Sequence, residues 1–231
     1  MPSHGFAIAV DGPASSGKGT VARLVARELG FAYVDTGSMY RAVALTAIAE
    51  GIDQLDGEAL AARISTMRLS FGFDHGRFTI GLDGEDISRA IRTQEVGAGA
   101  SLVATLPEVR RALLDTQRTL ASEQGVVMDG RDIGTVVLPD ADLKIYLDAE
   151  SSVRAMRRHA ELLDRGVEVS LQEVRSELAS RDAQDSGRAH APLARAADAV
   201  ALDCTHRTPE EVAAKVVSMA RGRLDARADL G

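Results

Sequence analysis

The chain contains 231 residues with a formal net charge of −7, and 45% of its residues are hydrophobic. This length is sufficient for an α/β domain with an inserted lobe, and the composition is that of a globular protein. The negative net charge excludes a general electrostatic attraction to nucleic acid, and the single cysteine excludes an internal disulfide.

The same global features bear on location and partners. No apolar run approaches the roughly 18 residues that a membrane helix needs, and the first residues lack the basic segment of a secretory signal. One cysteine fits a reducing compartment. We therefore expect a cytoplasmic protein that binds small molecules rather than membranes or nucleic acid. A monomer is expected as well, although none of these features determines the oligomeric state.

The first motif lies between a predicted strand at residues 6–10 and a predicted helix whose apolar stripe runs from Val21 to Leu29. Such a strand–loop–helix binds phosphate, because backbone N–H groups, the helix N-terminus and a lysine converge on its oxygens. We expect the Lys18 side chain to lie in an open cleft. The loop therefore predicts an ATP site formed by Gly12, Pro13, Ala14, Ser15, Ser16, Gly17, Lys18, Gly19 and Thr20.

The end of this loop departs from the usual pattern, in which a Ser or Thr that ligates Mg²⁺ follows the lysine directly. Here Gly19 follows Lys18, and the hydroxyl comes one position later at Thr20. This variant is typical of nucleoside monophosphate kinases and weakens the interpretation as a GTPase or motor ATPase. Thr20 could contact Mg²⁺ directly or through water.

A second strand is predicted at Phe31–Asp35, followed by a short loop at residues 36–38 and a helix from about Met39 to Glu50. Thr36 and Arg41 then lie near the carboxyl end of this strand, which is where ligands bind in open α/β sheets.

Residues 57–103 interrupt the alternation of strands and helices. Alternating patterns at 67–73, 78–82 and 85–87, with a turn at 74–76, predict a small antiparallel sheet. Short helices are predicted at 88–92 and 93–103.

The remaining chain restores the alternation. A capping box at Thr105–Glu108 is predicted to open a helix to about residue 123, and capping boxes at Ser170 and Thr208 open two later helices. Further strands are predicted at residues 125–128, 143–147 and 199–202. The fold class is therefore α/β, a five-stranded parallel sheet with helices on both faces, an inserted antiparallel lobe and a helical lid.

Two charged segments complete the predicted site. Asp129 and Arg131 follow the third parallel strand, where a carboxylate can hold Mg²⁺ through water and a guanidinium can bind phosphate. Arg181, Asp185 and Arg188 flank the apolar stripe of a later helix instead of opposing it. They could pair with one another, or belong to a helical hairpin that closes over the triphosphate.

At this point the chain resembles the bacterial cytidylate kinases, and the resemblance covers almost its whole length. Its most discriminating motifs are IRTQEV at residues 91–96 and DGRDIGTVV at residues 129–137. Supporting motifs are DGP at 11–13 with GKGT at 17–20, DTG at 35–37 with YR at 40–41, GEDI at 84–87, RD at 181–182 and APL at 191–193.

The resemblance implies phosphorylation of CMP and dCMP by ATP with Mg²⁺. It implies that Ser101, Arg110 and Asp132 read the base, that Asp185 contacts the ribose and that Arg157 belongs to the lid. It assigns the monophosphate to Arg41, Arg131, Arg181 and Arg188. Thr36 stands where the family often has Ser. With Lys18, the arginines at 131, 157, 181 and 188 would be catalytic.

The resemblance also implies a division of the chain. Residues 1–35, 104–150 and 188–231 would form the core, residues 36–103 the lobe that binds the monophosphate, and residues 151–187 the lid with its flanking helices. Two alternatives remain open. One is a kinase for UMP, another monophosphate or a small molecule of the shikimate type; the other is a P-loop regulator that senses a nucleotide.

Overall fold

A computed structural model describes residues 5–74, 77–122, 125–188 and 190–229. Within these ranges the strands are β1 (Ala7–Asp11), β2 (Ala32–Asp35), β3 (Leu69–Asp74), β4 (Arg77–Leu82), β5 (Glu85–Asp86), β6 (Val126–Gly130), β7 (Leu143–Asp148) and β8 (Val200–Asp203). The α-helices are α1 (Lys18–Leu29), α2 (Thr36–Glu50), α3 (Gly57–Ile64), α4 (Gln94–Val103), α5 (Pro107–Ser122), α6 (Ser151–Asp164), α7 (Leu171–Ser186) and α8 (Pro209–Ala228).

The main sheet has five strands in the order β2-β6-β1-β7-β8. The β1 strand pairs in parallel with β6 on one side and with β7 on the other, and β7 pairs in parallel with β8. The strands β1 and β6 are continuous apolar runs as far as Val10 and Met128, because a parallel sheet is covered on both faces. The predicted parallel sheet is confirmed.

The chain divides into two compact units, residues 1–32 with 124–231, and residues 33–123. In the first unit the loop at 12–17 leads from β1 into α1, and Gly17 caps the helix at a φ of 93°. In the same unit α6 and α7 share an apolar cluster that includes the loop residue Ala14 (Ala14, Ala155, Val174 and Leu178). The predicted capping boxes at Ser170 and Thr208 are confirmed.

The second unit contains the predicted antiparallel sheet, in the order β3-β4-β5. Its register pairs Phe71 with Ile80, and the ring of Tyr33 packs edge-on against Phe78 at 4.9 Å. The predicted turn at 74–76 includes His75 and Gly76, which lie outside the described residues. The short helices are confirmed as a 3-10 turn at Ala90–Arg92 and α4.

Two predictions for this unit need correction, and one of its helices was missed. The helix α2 begins at Thr36 rather than Met39, because the Asp35 carboxylate accepts a hydrogen bond from Ser38 N and caps it. The helix α3 was not predicted. The capping box at Thr105 is out of register, since α5 begins at Pro107 and the Thr105 hydroxyl donates to the Leu102 carbonyl. The predicted helix end at residue 123 lies outside the described residues.

Across the part of the chain that the structure describes, none of the helices combines the length and the apolar character that crossing a membrane requires.

Gly12 is required by a close approach of backbone. An added Cβ would lie 2.0 Å from the Leu147 carbonyl oxygen of β7, at a φ of 154° that side-chain-bearing residues rarely adopt. We expect Gly12→Ala to lower the free energy of unfolding by roughly 1–3 kcal/mol, because β1 and β7 must shift apart.

Urea unfolding would measure this effect, with Gly222→Ala in α8 as the matched control. A Cβ at Gly222 meets nothing within 4 Å, so that variant should gain up to about 1 kcal/mol of helix propensity. Equal stability of the two variants would contradict the prediction.

Candidate functional site

Within the part of the chain that the structure describes, some polar side chains of the loop at residues 12–20 have hydrogen-bond partners within the protein, and the Ser16 hydroxyl does not. The Ser16 hydroxyl is buried and has no hydrogen-bond partner among the described residues. The Lys18 ammonium donates to the Pro13 carbonyl at 3.1 Å, and the lysine is only 9% exposed. The expectation of an open cleft for Lys18 was therefore wrong: its charge is desolvated and directed back across the loop.

Asp11, the last residue of β1, holds the turn that follows β6. Its two carboxylate oxygens accept hydrogen bonds from Ile133 N at 2.8 Å and Gly134 N at 2.7 Å. Burial raises the pKa of Asp11 to about 6, although the two backbone N–H groups and Lys18 favour its charged form. The carboxylate thus orders a turn at a cost in solvation.

The end of β6 and that turn carry three of the predicted site residues, Asp129, Arg131 and Asp132. Asp129 pairs in register with Val10 of β1 and is buried, as is Asp132. A π-helical turn at Ile133–Val137 follows. The structure therefore brings the carboxyl end of β6 beside the carboxyl end of β1, from which the glycine-rich loop departs.

The predicted arginine cluster of the first unit is organised around Asp185. Its Oδ2 accepts from Nε of Arg131 at 2.6 Å, and its Oδ1 accepts from Arg188. Burial alone would raise the pKa of Asp185, but Arg131 and Arg188, with Arg181 contributing, outweigh it and lower that pKa. The internal pairing left open by the sequence is therefore present, and it joins the turn after β6 to α7.

Arg157 connects the loop at 12–20 with the segment after β8. Its Nη2 donates to the Cys204 carbonyl at 2.6 Å and its Nη1 to the Ser16 carbonyl at 3.4 Å. These groups border a cavity of about 340 Å³ that is also lined by Gly17, Thr20, Arg158, Arg207 and Pro209. Burial raises the pKa of the Cys204 thiol, which favours a structural role for it.

The second unit brings the other predicted residues together. Nη1 of Arg41 donates to the Ile91 carbonyl at 2.9 Å, and an added Cβ at Gly97 would lie 3.2 Å from the same nitrogen. The Ser101 hydroxyl donates to the Gly97 carbonyl, one turn earlier on α4. Arg110 lies over the Tyr40 ring, 5.6 Å from its centroid. Thr36 is buried at the first position of α2.

Two residues that hold these groups escaped the sequence-based selection, namely Asp11 and Arg154. Each bonds to groups more than a hundred residues away in the chain, Asp11 to the turn after β6 and Arg154 to the Ala14 carbonyl. Composition and spacing contain no signal for such pairings. The position of Asp11 directly before the glycine-rich loop was the available clue.

The arrangement within the first unit suits a polyphosphate. Donors with full positive charge surround the loop, and the buried Ser16 hydroxyl adds a neutral polar group to it. Phosphate oxygens are acceptors only, so a nucleotide would satisfy these donors where water is excluded.

Comparison with known proteins gives consistent matches. A family model for cytidylate kinase matches residues 8–222. A cytidylate kinase of Pelotomaculum thermopropionicum is 48% identical over 212 residues, which are 91% of this chain and 94% of that protein. A cytidylate kinase of Shouchella clausii is 44% identical over 219 residues, covering 95% and 97%. The range that the family model matches includes all the site residues described above.

Among solved structures, an uncharacterized protein from Eubacterium ventriosum ATCC 27560 superposes with a TM-score of 0.53. It is 10% identical and covers 94% of this chain and 98% of that one. At such low identity the similarity concerns the fold alone.

We expect the contribution of Asp11 to the free energy of unfolding to depend on pH. The pKa of Asp11 is about 6 in the folded protein and about 3.8 in the unfolded chain, so the unfolded chain loses this proton first as the pH rises. The contribution of protonated Asp11 to the free energy of unfolding is therefore complete below about pH 4 and is lost by about pH 6. The Asp11→Asn variant cannot ionise at this position and keeps its stability as the pH rises. The free energy of unfolding of the variant minus that of wild type should therefore increase by roughly 3 kcal/mol between about pH 4 and about pH 6.

Urea unfolding of both proteins across that range would test this, with the exposed Asp140→Asn as a control for general charge effects. A difference between wild type and Asp11→Asn that does not change with pH would contradict the assignment.

Proposed function

The chain belongs to the cytidylate kinase family, and we propose that it transfers the γ-phosphoryl group of ATP to CMP and dCMP. The observation that carries the proposal is the ordered set of cations in the first unit, attached to a glycine-rich loop of the nucleotide-binding type. The finer assignments below are proposals supported by that geometry.

On the donor side, we propose that residues 12–20 hold the triphosphate of ATP. The buried Ser16 hydroxyl and the Lys18 ammonium would contact phosphate oxygens. The cavity of about 340 Å³ that Arg157 and Arg207 border is suited to the adenosine, because it opens directly beside this loop.

The residues present are compatible with Mg²⁺. Asp129 and Thr20 offer carboxylate and hydroxyl oxygens, the ligand types that this ion prefers. Within the described ranges, no group of three or more His, Cys, Asp or Glu side chains could hold a metal. We therefore propose that the ion arrives bound to the phosphates of ATP. There it would reduce the negative charge of those phosphates.

On the acceptor side, we propose that residues 36–103 form the monophosphate-binding lobe. Thr36, Arg41 and Ser101 of this lobe would contact the nucleotide. Arg110, which follows the lobe in the chain, would contact the base. In the first unit, Asp132 would accept from the cytosine amino group. Arg131, Arg181 and Arg188 would hold the phosphate, and Asp185 the ribose. A carboxylate oxygen can accept more than one hydrogen bond. Asp185 can therefore contact the ribose while it remains paired with Arg131 and Arg188.

The chemistry requires little covalent participation by the protein. The transition state spreads negative charge over the transferring phosphoryl group, and the cations Lys18, Arg131, Arg157, Arg181 and Arg188 would stabilise that charge. The acceptor phosphate is largely deprotonated near neutral pH and needs no general base. The expected monomeric state, cytoplasmic location and lack of nucleic-acid partners stay predictions.

A coupled assay of ADP release with a panel of acceptors tests the proposal. Rapid release is expected with CMP and dCMP, and slower release with UMP, AMP or shikimate. Lys18→Met should reduce the rate at least about 100-fold, because it removes a charge that the transition state needs. ADP release that requires no acceptor would favour a nucleotide-sensing regulator instead.

The base contact makes a separate prediction. Cytosine offers an amino donor that a carboxylate accepts, whereas uracil offers a carbonyl acceptor at that position. Asp132→Asn should therefore lower the ratio of kcat/KM for CMP to that for UMP by at least about tenfold. The KM for ATP should remain near the wild-type value.

The exposed Asp140→Asn serves as the matched control and should leave the ratio unchanged. An equal loss with CMP and UMP in the Asp132→Asn protein would remove Asp132 from base recognition.

A further inference from the structure

Arg154 has a set of contacts that its position on a surface helix does not explain. It lies in the first turn of α6 but is only 8% exposed. Burying a guanidinium costs free energy unless several acceptors surround it. The acceptors that it finds belong to three different parts of the first unit.

The first two acceptors are backbone carbonyls. Nε of Arg154 donates to the Ala149 carbonyl at 3.0 Å, directly after β7. Nη1 donates to the Ala14 carbonyl at 3.1 Å, in the middle of the glycine-rich loop. A carbonyl that accepts from a guanidinium orients its peptide unit, so Arg154 restrains the conformation of the loop itself.

The third acceptor lies on α7. The same Nη1 donates to Oδ2 of Asp182 at 2.6 Å, which makes an ion pair. The other oxygen of Asp182 is buried without a hydrogen-bond partner among the described residues, so this carboxylate depends on Arg154. Asp182 follows Arg181 directly and precedes Asp185 by one turn.

The apolar contacts follow the same path. Ala155, next to Arg154, packs with Ala14 of the loop and with Val174 and Leu178 of α7. The loop and α7 are thus joined by packing, and Arg154 supplies the directional bonds that set their register.

We propose that Arg154 is a positioning residue that fixes the triphosphate loop relative to Arg181 and Asp185 of α7. This inference rests on the proposed function, because the loop and α7 would hold the two nucleotides between which one phosphoryl group passes. Loss of this restraint would misplace charges that the transition state needs, and small misplacements of this kind can reduce a rate by about 100-fold.

The test uses the full-length protein and compares Arg154→Met, Asp182→Asn and the double variant. We expect each single variant to lower kcat by roughly 10- to 100-fold while the KM for ATP changes less than about threefold. The double variant should be no worse than the poorer single variant, because both remove one contact. Arg165→Met, at the exposed end of α6, is the control and should leave kcat unchanged.

Stability and ligand binding are separated in the same experiment. A lower melting temperature with kcat and both KM values unchanged would overturn the proposal, since Arg154 would then be merely structural. A large rise in the KM for ATP with kcat retained would also overturn it, since Arg154 would then act as a nucleotide ligand. If Arg154→Met does not fold, Arg154→Lys and Asp182→Asn must show the loss of kcat.

Amide hydrogen exchange provides a readout that does not depend on transfer. In Arg154→Met, the peptides covering residues 12–20 and α7 should both exchange faster than in wild type. Unchanged exchange in both would overturn the proposal. A wild-type protein that phosphorylates no acceptor would refute the proposed function, whereas the exchange result would still decide whether Arg154 couples the two segments.

Discussion

Desolvated positive charge is the constraint on which the first unit depends. Burying a guanidinium is costly unless oxygen acceptors compensate for the lost water. The single carboxylate of Asp185 compensates both Arg131 and Arg188. Backbone carbonyls compensate Arg157, and acceptors of both kinds compensate Arg154. Because these acceptors also orient the guanidinium groups, an incoming phosphate would meet donors that need little reorganisation, which is the condition for strong electrostatic stabilisation.

Two carboxylates illustrate opposite ways of maintaining this arrangement. Asp185 lies between two arginines that lower its pKa, so the charge of each partner stabilises the other. Asp11 behaves differently, because burial outweighs the two backbone hydrogen bonds and Lys18 and raises its pKa, so its charged form weakens the fold near neutral pH. Its two backbone hydrogen bonds nevertheless order the turn that carries Arg131. Such a cost is typical of residues that serve an active site rather than stability.

Local pattern was a good guide where one physical signal dominated. Apolar runs predicted the parallel strands, and alternation predicted the small antiparallel sheet. Prediction was wrong or incomplete where signals were weak or competed. The helix α3 has only Leu60 and Ile64 buried, which is too short a stripe to recognise. The start of α2 was misplaced because Thr36, Gly37 and Ser38 resemble a turn until Asp35 caps them.

Motifs and periodicity were enough to predict the fold class, the glycine-rich loop and the family, and to select most candidate site residues, because such signals act over a few neighbouring positions. The arrangement of the charges became known from the folded chain alone. The tertiary structure revealed that Lys18 turns back to the Pro13 carbonyl, that Asp185 bridges two arginines, and that Arg154 ties the loop to α7. Those contacts join residues that are distant in the chain, and their energies depend on burial, which exists only once the chain has folded.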